Sequence, residues 1–401
     1  MLNGSGNLAD ATVGILMEFD ETWMGGVNYI INLLKTLKRL PAEEAPCIVV
    51  IASENAASLL TGDLDDFPVM KIIYLTEQKL VRLIPGRFRP YGHGVDRLLK
   101  LNNIIRKNGI ELLFPVTVTR DLMMPTRTVG WIPDLQHKFL PEFFTKEEVA
   151  KRDAIFDRFA RRASCMIFSS RSAKQDFERF YPYHKDKGKN FVYSFCTVLD
   201  KTCNIKSAEY LRDKYGLNGS FLYLPNQFWA HKNHLLVFKT LARLQQEGYK
   251  ITMACTGSSH EHRNREYYNR LMSFKEDNCL ENIKILGLVP REDQYSLYFH
   301  ATAVLQPSLF EGWSSIVEDA RAFGKPMILS DIPVHREQNP PATVFFDPWQ
   351  EDDLAEKILS VWQNRPQVSQ DYSLLFTRQE QRVRETAISL LNILKDCGLR
   401  K

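Results

Sequence analysis

The feature that most constrains the fold is a regular alternation of short apolar runs with longer amphipathic segments. In the first half of the chain the apolar runs occupy residues 12–17, 47–52, 71–75, 111–114, 128–132 and 165–169. A segment between two of them, residues 95–106, repeats its apolar side chains at helical spacing. Strands that alternate with helices in this way predict a doubly wound parallel sheet, in which ligands bind beyond the carboxyl ends of the strands.

The same alternation restarts in the second half of the chain. Its apolar runs occupy residues 221–224, 251–255, 283–286, 302–306, 327–329 and 343–346. Between the two halves, residues from about 195 to 215 form a polar stretch that we interpret as a linker. We therefore expect two Rossmann-like α/β domains facing a central cleft, residues 1–200 and 207–375, and an amphipathic surface helix in 376–401.

Composition excludes several classes of protein. Of the 401 residues, 44% are hydrophobic and 25% charged, as in ordinary globular proteins. The net charge of +4 does not favour a nucleic-acid partner. The seven cysteines are odd in number and contain no C-x-x-C pair, which argues against a zinc site or a disulfide framework. With no apolar run near 20 residues and no signal-peptide pattern, we expect a cytoplasmic protein.

The most informative stretch is residues 307–326, which joins two predicted strands through a polar turn and a helix. Ser315 and Glu318 have the S-x-x-E spacing of a capping box, so we expect the helix to begin at Ser315. The first turn of a helix is a seat for phosphate. Glu311, four residues earlier, is either a solvated loop acid or a carboxylate beside that seat. An anion seat beside a carboxylate suits a diphosphate that carries a polyol.

This stretch resembles the E-x7-E segment of retaining glycosyltransferases of family 4, which have the GT-B fold of two Rossmann-like domains. In that family the first Glu contacts the donor sugar and the second holds the ribose of the nucleotide. Aligned on residues 310–312 and 324–326, Glu311 matches the first acid and Asp319 the second, so this sequence reads E-x7-D. The resemblance covers residues 220–350 strongly and 12–180 more weakly, and it implies that the helix in 376–401 crosses back to the first domain.

A second motif, residues 225–234, follows the first strand of the second half and leads into a helix. Lys232 lies just before that helix, where a cation can hold a diphosphate and neutralise the charge that grows on it. The family places an Arg and a Lys here, five residues apart; Lys232 matches the Lys, and Gln227 stands at the Arg position. Candidate replacements for the missing cation are His231, His234, Arg171 and Arg336.

The first half contributes two further candidate sites. Gly25 and Gly26 stand at a strand-to-helix loop, which is a plain tight turn or, by the resemblance, a turn that approaches the donor phosphates. Asp134 and His137 follow the strand 128–132. The family has a His-Asp pair here; Asp134 matches the Asp, Pro133 occupies the His position, and His137 is either its replacement or an exposed loop residue.

Residues 79–97 form a basic segment with two aromatic side chains, interpreted as a loop that meets an anionic acceptor or as a solvated loop. Its cations are Lys79, Arg82, Arg87, Arg89 and Arg97. We expect no required metal, because the histidines of residues 231–234 lack carboxylate partners and no D-x-D motif follows a strand.

The resemblance implies a retaining transferase that moves a hexosyl unit from a nucleotide diphosphate sugar, its co-substrate, to a glycan or lipid-linked glycan, with peripheral membrane contact. Similarity to bacterial mannosyltransferases of polysaccharide and O-antigen synthesis favours GDP-mannose as donor. The implied catalytic residues are Glu311, Lys232, His137 and Asp134. The implied donor-binding residues are Gly25, Gly26, Gln227, Lys232, Gly312, Trp313, Ser314, Ser315 and Asp319. The alternatives are a catalytically degenerate partner subunit, a sugar-nucleotide epimerase and a sugar-binding receptor.

Overall fold

The computed structural model describes residues 10–17, 24–53, 56, 60, 67, 70–75, 89–184, 188–201, 203–259, 264–366, 369 and 371–399. Three cations of the basic segment, Lys79, Arg82 and Arg87, lie outside these residues. The chain divides into two compact units. The first comprises Met1–Leu135, Ala150–Val198 and Gln381–Lys401, and the second comprises Gln136–Val149 and Leu199–Glu380.

The first unit is built on a seven-stranded parallel sheet with the order β3-β2-β1-β4-β5-β6-β7. Its strands are β1 Thr12–Met17, β2 Cys47–Ala52, β3 Met70–Tyr74, β4 Leu112–Val116, β5 Arg127–Ile132, β6 Cys165–Phe168 and β7 Lys189–Val192. The helices of this half of the chain are α1 Met24–Leu37, α2 Arg89–Lys107, α3 Gln136–Phe139, α4 Lys146–Arg162 and α5 Arg171–Phe180. The short helix α3 belongs to the second unit.

The second unit is built on a six-stranded parallel sheet with the order β10-β9-β8-β11-β12-β13. Its strands are β8 Leu222–Pro225, β9 Met253–Thr256, β10 Ile283–Gly287, β11 Ala303–Gln306, β12 Met327–Ser330 and β13 Thr343–Phe346. Its helices are α6 Ala208–Tyr215, α7 His234–Gln246, α8 Arg265–Asp277, α9 Arg291–His300, α10 Ser315–Ala322, α11 Pro333–Gln338 and α12 Glu351–Asn364. The last helix, α13 Tyr372–Asp396, spans the boundary at residue 380.

The predicted fold class, α/β with two doubly wound parallel sheets, is confirmed. Parallel strands covered on both faces are nearly continuous apolar runs. β4 and β11 are each buried along their whole length, which is why the apolar runs predicted them. One strand was missed: β7 begins with Lys189 and Asn190 and is only partly buried, so its pattern is weak. Part of the predicted polar linker is helical, because α6 occupies Ala208–Tyr215 with the Ser207 hydroxyl accepting from Tyr210 N–H at its start.

The expectation against disulfides was wrong for one pair of cysteines. A disulfide joins Cys165 of β6 to Cys397, just beyond the end of α13, within the first unit. Both residues are almost fully buried. Spacing along the sequence could not reveal the pair, because 232 residues separate the two cysteines. No helix among the described residues is long and apolar enough to cross a membrane.

Strand order determines where a ligand can bind in the second unit. Chain order reverses between the neighbouring strands β8 and β11, since β9 and β10 lie on one side and β12 and β13 on the other. Such a switch point leaves a crevice at the carboxyl ends of the strands, because the loops that follow diverge to opposite faces. The two motifs of the sequence analysis follow these two strands.

Candidate functional site

The loop after β8 and the loop after β11 are joined at the switch point. Leu309 N–H donates a backbone hydrogen bond to the His231 carbonyl at 2.8 Å. Ala230–Lys232 forms a single 3-10 turn, and Asn233 follows with the left-handed φ of 57° before α7 begins at His234. Asn233 also donates its side-chain amide to the Pro348 carbonyl at 2.9 Å. These contacts fix the backbone on both sides of Lys232.

Lys232 and Glu311 form an ion pair across the switch point. Lys232 Nζ lies 2.5 Å from Glu311 Oε1, with the two side chains 14% and 11% exposed. The low exposure leaves little water to screen the pair, so attraction is stronger than between surface charges. The structure therefore places a cation and a carboxylate at the carboxyl ends of β8 and β11, each facing the other.

The helix after Glu311 begins at Ser315, as predicted, but its cap is a different residue. The N-cap is Ser314, whose hydroxyl accepts from Val317 N–H at 3.5 Å. Ser315 was expected in that role, with Glu318 three residues on; a cap at Ser314 instead makes Val317 its third-position partner. Glu318 is fully buried and accepts from Gln338 Nε2 at 3.0 Å. The first turn of α10 is thus anchored from inside the fold.

Gln338 also holds the backbone of the N-cap from the opposite side. Its Oε1 accepts from Ser314 N–H at 3.3 Å, and its Nε2 donates to the Ser314 carbonyl at 3.0 Å. Next to this cap, Gly312 and Trp313 are partly buried. The start of α10 is therefore rigid, and a rigid helix N-terminus beside a cation is suited to binding an anion.

Asp319, the second acid of the E-x7-D segment, is paired with a cation that the sequence analysis did not single out. Arg291 forms a two-pronged ion pair with it, at 2.9 Å to Oδ2 and 3.0 Å to Oδ1. Asp319 is 5% exposed, on α10, while Arg291 begins α9 just after the loop that follows β10. A paired Asp319 has fewer lone pairs left for a ribose hydroxyl.

Two histidines near the pair are buried and neutral. His234 is fully buried with its ring stacked on Phe228, centroids 4.5 Å apart, and burial lowers its pKa to about 3. His335, also fully buried, has Nδ1 2.9 Å from the Ser330 carbonyl oxygen, and burial lowers its pKa to about 4. His234 therefore cannot supply the cation missing at Gln227.

The other candidate replacements are also placed elsewhere or engaged. Arg336 is exposed and pairs with Asp331 through two contacts, at 2.6 and 2.7 Å. Arg171 begins α5 in the first unit. His231 is 5% exposed, and Gln227 is partly buried in the loop after β8. Among the residues that the structure describes, no group of three or more His, Cys, Asp or Glu side chains could hold a metal ion.

The candidate residues from the first half occupy three positions. Gly25 and Gly26 lie in the first turn of α1 rather than in a loop before it, Gly25 exposed and Gly26 buried. Asp134 is partly exposed just after β5. His137 is not an exposed loop residue: it lies in α3, 1% exposed, with its ring edge-on to Phe144. The adjoining Phe139 stacks on Phe310, next to Glu311, with centroids 5.3 Å apart.

Two cations of the basic segment, Arg89 and Arg97, are placed within a helix rather than a loop. Arg97 lies in α2 and pairs with Asp121, which is fully buried in a 3-10 turn after β4. In the first sheet the chain order reverses between β1 and β4, so this pair follows a switch-point strand of its own unit. Sequence reasoning missed Asp121, although a lone Asp shortly after an apolar run was a signal that could have found it.

The comparisons with known proteins agree with this architecture. Residues 212–373 match the family described as Glycosyl transferases group 1. HepE of Anabaena in complex with UDP-glucose is similar in structure, with a TM-score of 0.69 and 16% identity, covering 96% of this chain and 100% of that one. Sucrose-phosphate synthase of Thermosynechococcus elongatus has a TM-score of 0.68 and 14% identity, covering 96% and 98%.

A glycosyltransferase of Rickettsia africae is also similar, with a TM-score of 0.63 and 15% identity, covering 96% of this chain and 97% of that one. No curated protein matches the sequence in a direct comparison. The chain has the GT-B fold, and residues 212–373 of its second unit match the glycosyl transferases group 1 family.

Proposed function

We propose that the protein is a retaining glycosyltransferase that moves a hexosyl unit from a nucleotide diphosphate sugar to a hydroxyl group of a glycan or glycolipid. The observation that carries this proposal is the Lys232–Glu311 pair at the switch point, inside the segment that matches glycosyl transferases group 1. A cation there suits the diphosphate, and a carboxylate suits the hydroxyls of the sugar.

The reaction breaks the bond between the anomeric carbon and the diphosphate oxygen, and forms a bond from the same carbon to the acceptor oxygen. Negative charge grows on the diphosphate as the bond breaks. Lys232 and the N-terminus of α10 stabilise that charge. Glu311 holds sugar hydroxyls, so the anomeric carbon faces the acceptor. Attack occurs on the face that the leaving group departs from, the acceptor proton passes to the leaving phosphate, and no bond to the enzyme forms.

The donor has to displace an existing contact. Lys232 lies against Glu311 in the structure, and a bound diphosphate would compete with that carboxylate for the ammonium group. The proposed order is that the phosphate takes Lys232, which turns Glu311 toward the sugar. Asp319, in its pair with Arg291, holds the ribose in this scheme, so the guanidinium lies beside the nucleotide.

The finer assignments are part of the same proposal. Residues 1–200 would bind the acceptor and residues 207–375 the donor. Asp134 and His137 are proposed as further catalytic residues, and Gly25 and Gly26 as donor-binding residues. The donor is GDP-mannose, no metal is required, and the protein works in the cytoplasm at a membrane surface. The neighbour HepE was crystallised with UDP-glucose, which makes UDP-glucose the competing donor to test.

The test measures nucleoside diphosphate release from GDP-, UDP- and ADP-sugars. Wild type is compared with Glu311→Ala and Lys232→Ala, and with matched controls on exposed positions of the same unit, Glu266→Ala and Lys239→Ala. We expect slow hydrolysis of one donor, reduced about 100-fold in both site variants and unchanged in both controls. Binding of no nucleotide sugar, measured by thermal shift on the same panel, would refute the donor site.

A catalytically degenerate partner subunit is the second candidate, because Pro133, Gln227 and Asp319 each depart from the family pattern. Its signature is nucleotide binding without turnover when a set of glycan acceptors is supplied. A sugar-nucleotide epimerase would instead change the stereochemistry of the sugar without consuming an acceptor, which NMR of the donor distinguishes.

A further inference from the structure

The buried amide of Gln306 lies between the two parts of the proposed donor site. Gln306 is the last residue of β11 and is fully buried. Its Nε2 donates to Glu311 Oε1 at 2.9 Å and to Ser314 Oγ at 3.1 Å, while its Oε1 accepts from Asn226 Nδ2. A primary amide has two N–H donors, so both are committed to the site.

The orientation of this amide is determined by its neighbours. An ionised carboxylate only accepts hydrogen bonds, so Glu311 requires the nitrogen side of Gln306. Asn226, 1% exposed in the loop after β8, meets the oxygen side with its own nitrogen. The backbone of Asn226 is in turn packed against Gly257, where a β-carbon would lie 2.2 Å from the Asn226 backbone carbonyl oxygen. The reversed amide would place oxygen against the oxygen of Glu311.

Gln306 differs from Lys232 in what donor binding does to it. Both now contact Glu311 Oε1, but the phosphate competes only for the charged Lys232. The Gln306 amide is neutral and buried, so donor binding leaves its contact with Glu311 intact. When Lys232 turns to the diphosphate, Gln306 still fixes Oε1, and the second carboxylate oxygen is then directed to a sugar hydroxyl.

The same amide also contacts the N-cap of α10, where the phosphate is proposed to bind. Ser314 Oγ receives one Gln306 N–H and also accepts from Val317 N–H as the cap of α10. One side chain therefore sets the position of the carboxylate relative to the helix N-terminus. If Gln306 is lost, the Glu311 carboxylate can shift relative to the N-terminus of α10. The distance between the group that binds the sugar and the group that binds the phosphate therefore depends on Gln306.

We infer that Gln306 is a positioning residue that holds Glu311 and the N-cap of α10 in register for transfer, with Asn226 orienting its amide. This inference rests on the proposed function. It predicts an effect on turnover that passes through Glu311, because Gln306 itself is covered by Glu311 and Ser314 and does not touch the substrate.

The test is a double-mutant cycle with Gln306→Leu, Glu311→Ala and the double variant, measured as kcat and KM on the donor that wild type hydrolyses. We expect Gln306→Leu to lower kcat about 10- to 100-fold with KM changed less than about threefold, a loss typical of misplaced catalytic groups. In the Glu311→Ala background the same substitution should cost less than about twofold, because the group it positions is gone. Gln245→Leu, a matched loss of an amide that bonds Asn278 and Cys279 carbonyls, should leave kcat unchanged.

A pH profile separates positioning from general damage. Gln306→Glu has a hydrogen-bond donor only when the new carboxyl is protonated, so its rate should rise as the pH falls, relative to wild type. The inference is overturned if the kcat of Gln306→Leu equals that of wild type. It is also overturned if Gln306→Leu lowers kcat by the same factor with Glu311 present and with Glu311→Ala.

The cycle is repeated on the midpoint of urea unfolding, which needs no turnover. Non-additive midpoints are expected from the Gln306–Glu311 contact, and additive midpoints overturn it. A protein that binds no nucleotide sugar but shows this coupling refutes the proposed function while the contact stands, so the two failures are distinguishable.

Discussion

Acid should destabilise the second unit through its two buried histidines, His234 and His335. Burial lowers their pKa values from 6.5 to about 3 and about 4, with the nearby Lys232 ammonium lowering both further and Glu311 opposing the shift at His335. Between pH 6.5 and 4 the unfolded chain therefore takes up protons that the folded chain does not. Stability falls as the pH falls through this window, because the unfolded state binds more protons.

The magnitude follows from the two pKa values of each residue. A histidine with pKa 6.5 unfolded and about 3 or 4 folded loses about 2 kcal/mol of stability between pH 7 and pH 5. The two together lose about 4 kcal/mol, a large share of the roughly 5–15 kcal/mol that stabilises a typical domain. The window lies above the titration of most carboxylates. Asp176 of the first unit is an exception: burial raises its pKa to about 6, so its protonation stabilises the fold in the same window and opposes the histidines, equally in wild type and variants.

The measurement is urea unfolding at pH 7 and pH 5 for wild type, His234→Phe and His335→Gln, followed by tryptophan fluorescence. Phenylalanine preserves the stack on Phe228, and glutamine can donate to the Ser330 carbonyl. The loss between the two pH values should shrink by about 2 kcal/mol in each variant.

A control separates packing damage from proton uptake. Thr240 is fully buried on the same helix as His234 and does not titrate, so Thr240→Val should lower stability equally at both pH values. If the histidine variants lose as much stability as wild type between pH 7 and pH 5, proton uptake at these rings is not the cause and the reasoning fails.

Three further predictions concern other parts of the fold. Gly257→Ala should lower the free energy of unfolding by about 2–3 kcal/mol, because the φ of Gly257 is +138° and the new β-carbon would meet the backbone after β8. Gly219→Ala is the control: its φ is +79° but the space around it is open, so it should cost about 1 kcal/mol. Urea midpoints measure both. Lys325→Met should cost about 2 kcal/mol by the same assay, because the buried ammonium donates to two carbonyl oxygens at the end of α9, at 2.6 and 3.2 Å. Without reductant the denatured protein should react with a thiol reagent at five cysteines, and with reductant at all seven, Cys165 and Cys397 included. Seven reactive cysteines under both conditions would exclude the disulfide.

Much of the fold could be predicted because its signals are local. The central strands of the two parallel sheets are short buried apolar runs, and the helix after Glu311 begins at the predicted residue. Parallel strands deliver their loops to one edge, so motifs that follow β8 and β11 come close together once the strands are neighbours. The contact between Lys232 and Glu311 is the structural outcome of that rule.

The remaining features depend on side chains that are distant in sequence. Gln306 ends an apolar run and gave no sign that its amide joins Glu311, Ser314 and Asn226. Arg291 reaches Asp319 across 28 positions. The choice of Ser314 over Ser315 as the cap depends on which serine has extended backbone angles, and the sequence does not distinguish two adjacent serines.

Neither unit is a single piece of chain, and this affects how the protein can be divided or recombined. The chain passes from one unit to the other after Leu135, Val149, Val198 and Glu380. A cut between residues 198 and 199 would leave 136–149 attached to the wrong fragment, together with the Phe139 ring that stacks on Phe310. It would also remove the last residues of α13 from the first unit, where Val383 packs on Cys196 and Val198. An exchange of the second unit with that of a similar protein therefore has to transplant two separate segments, or replace side chains one at a time.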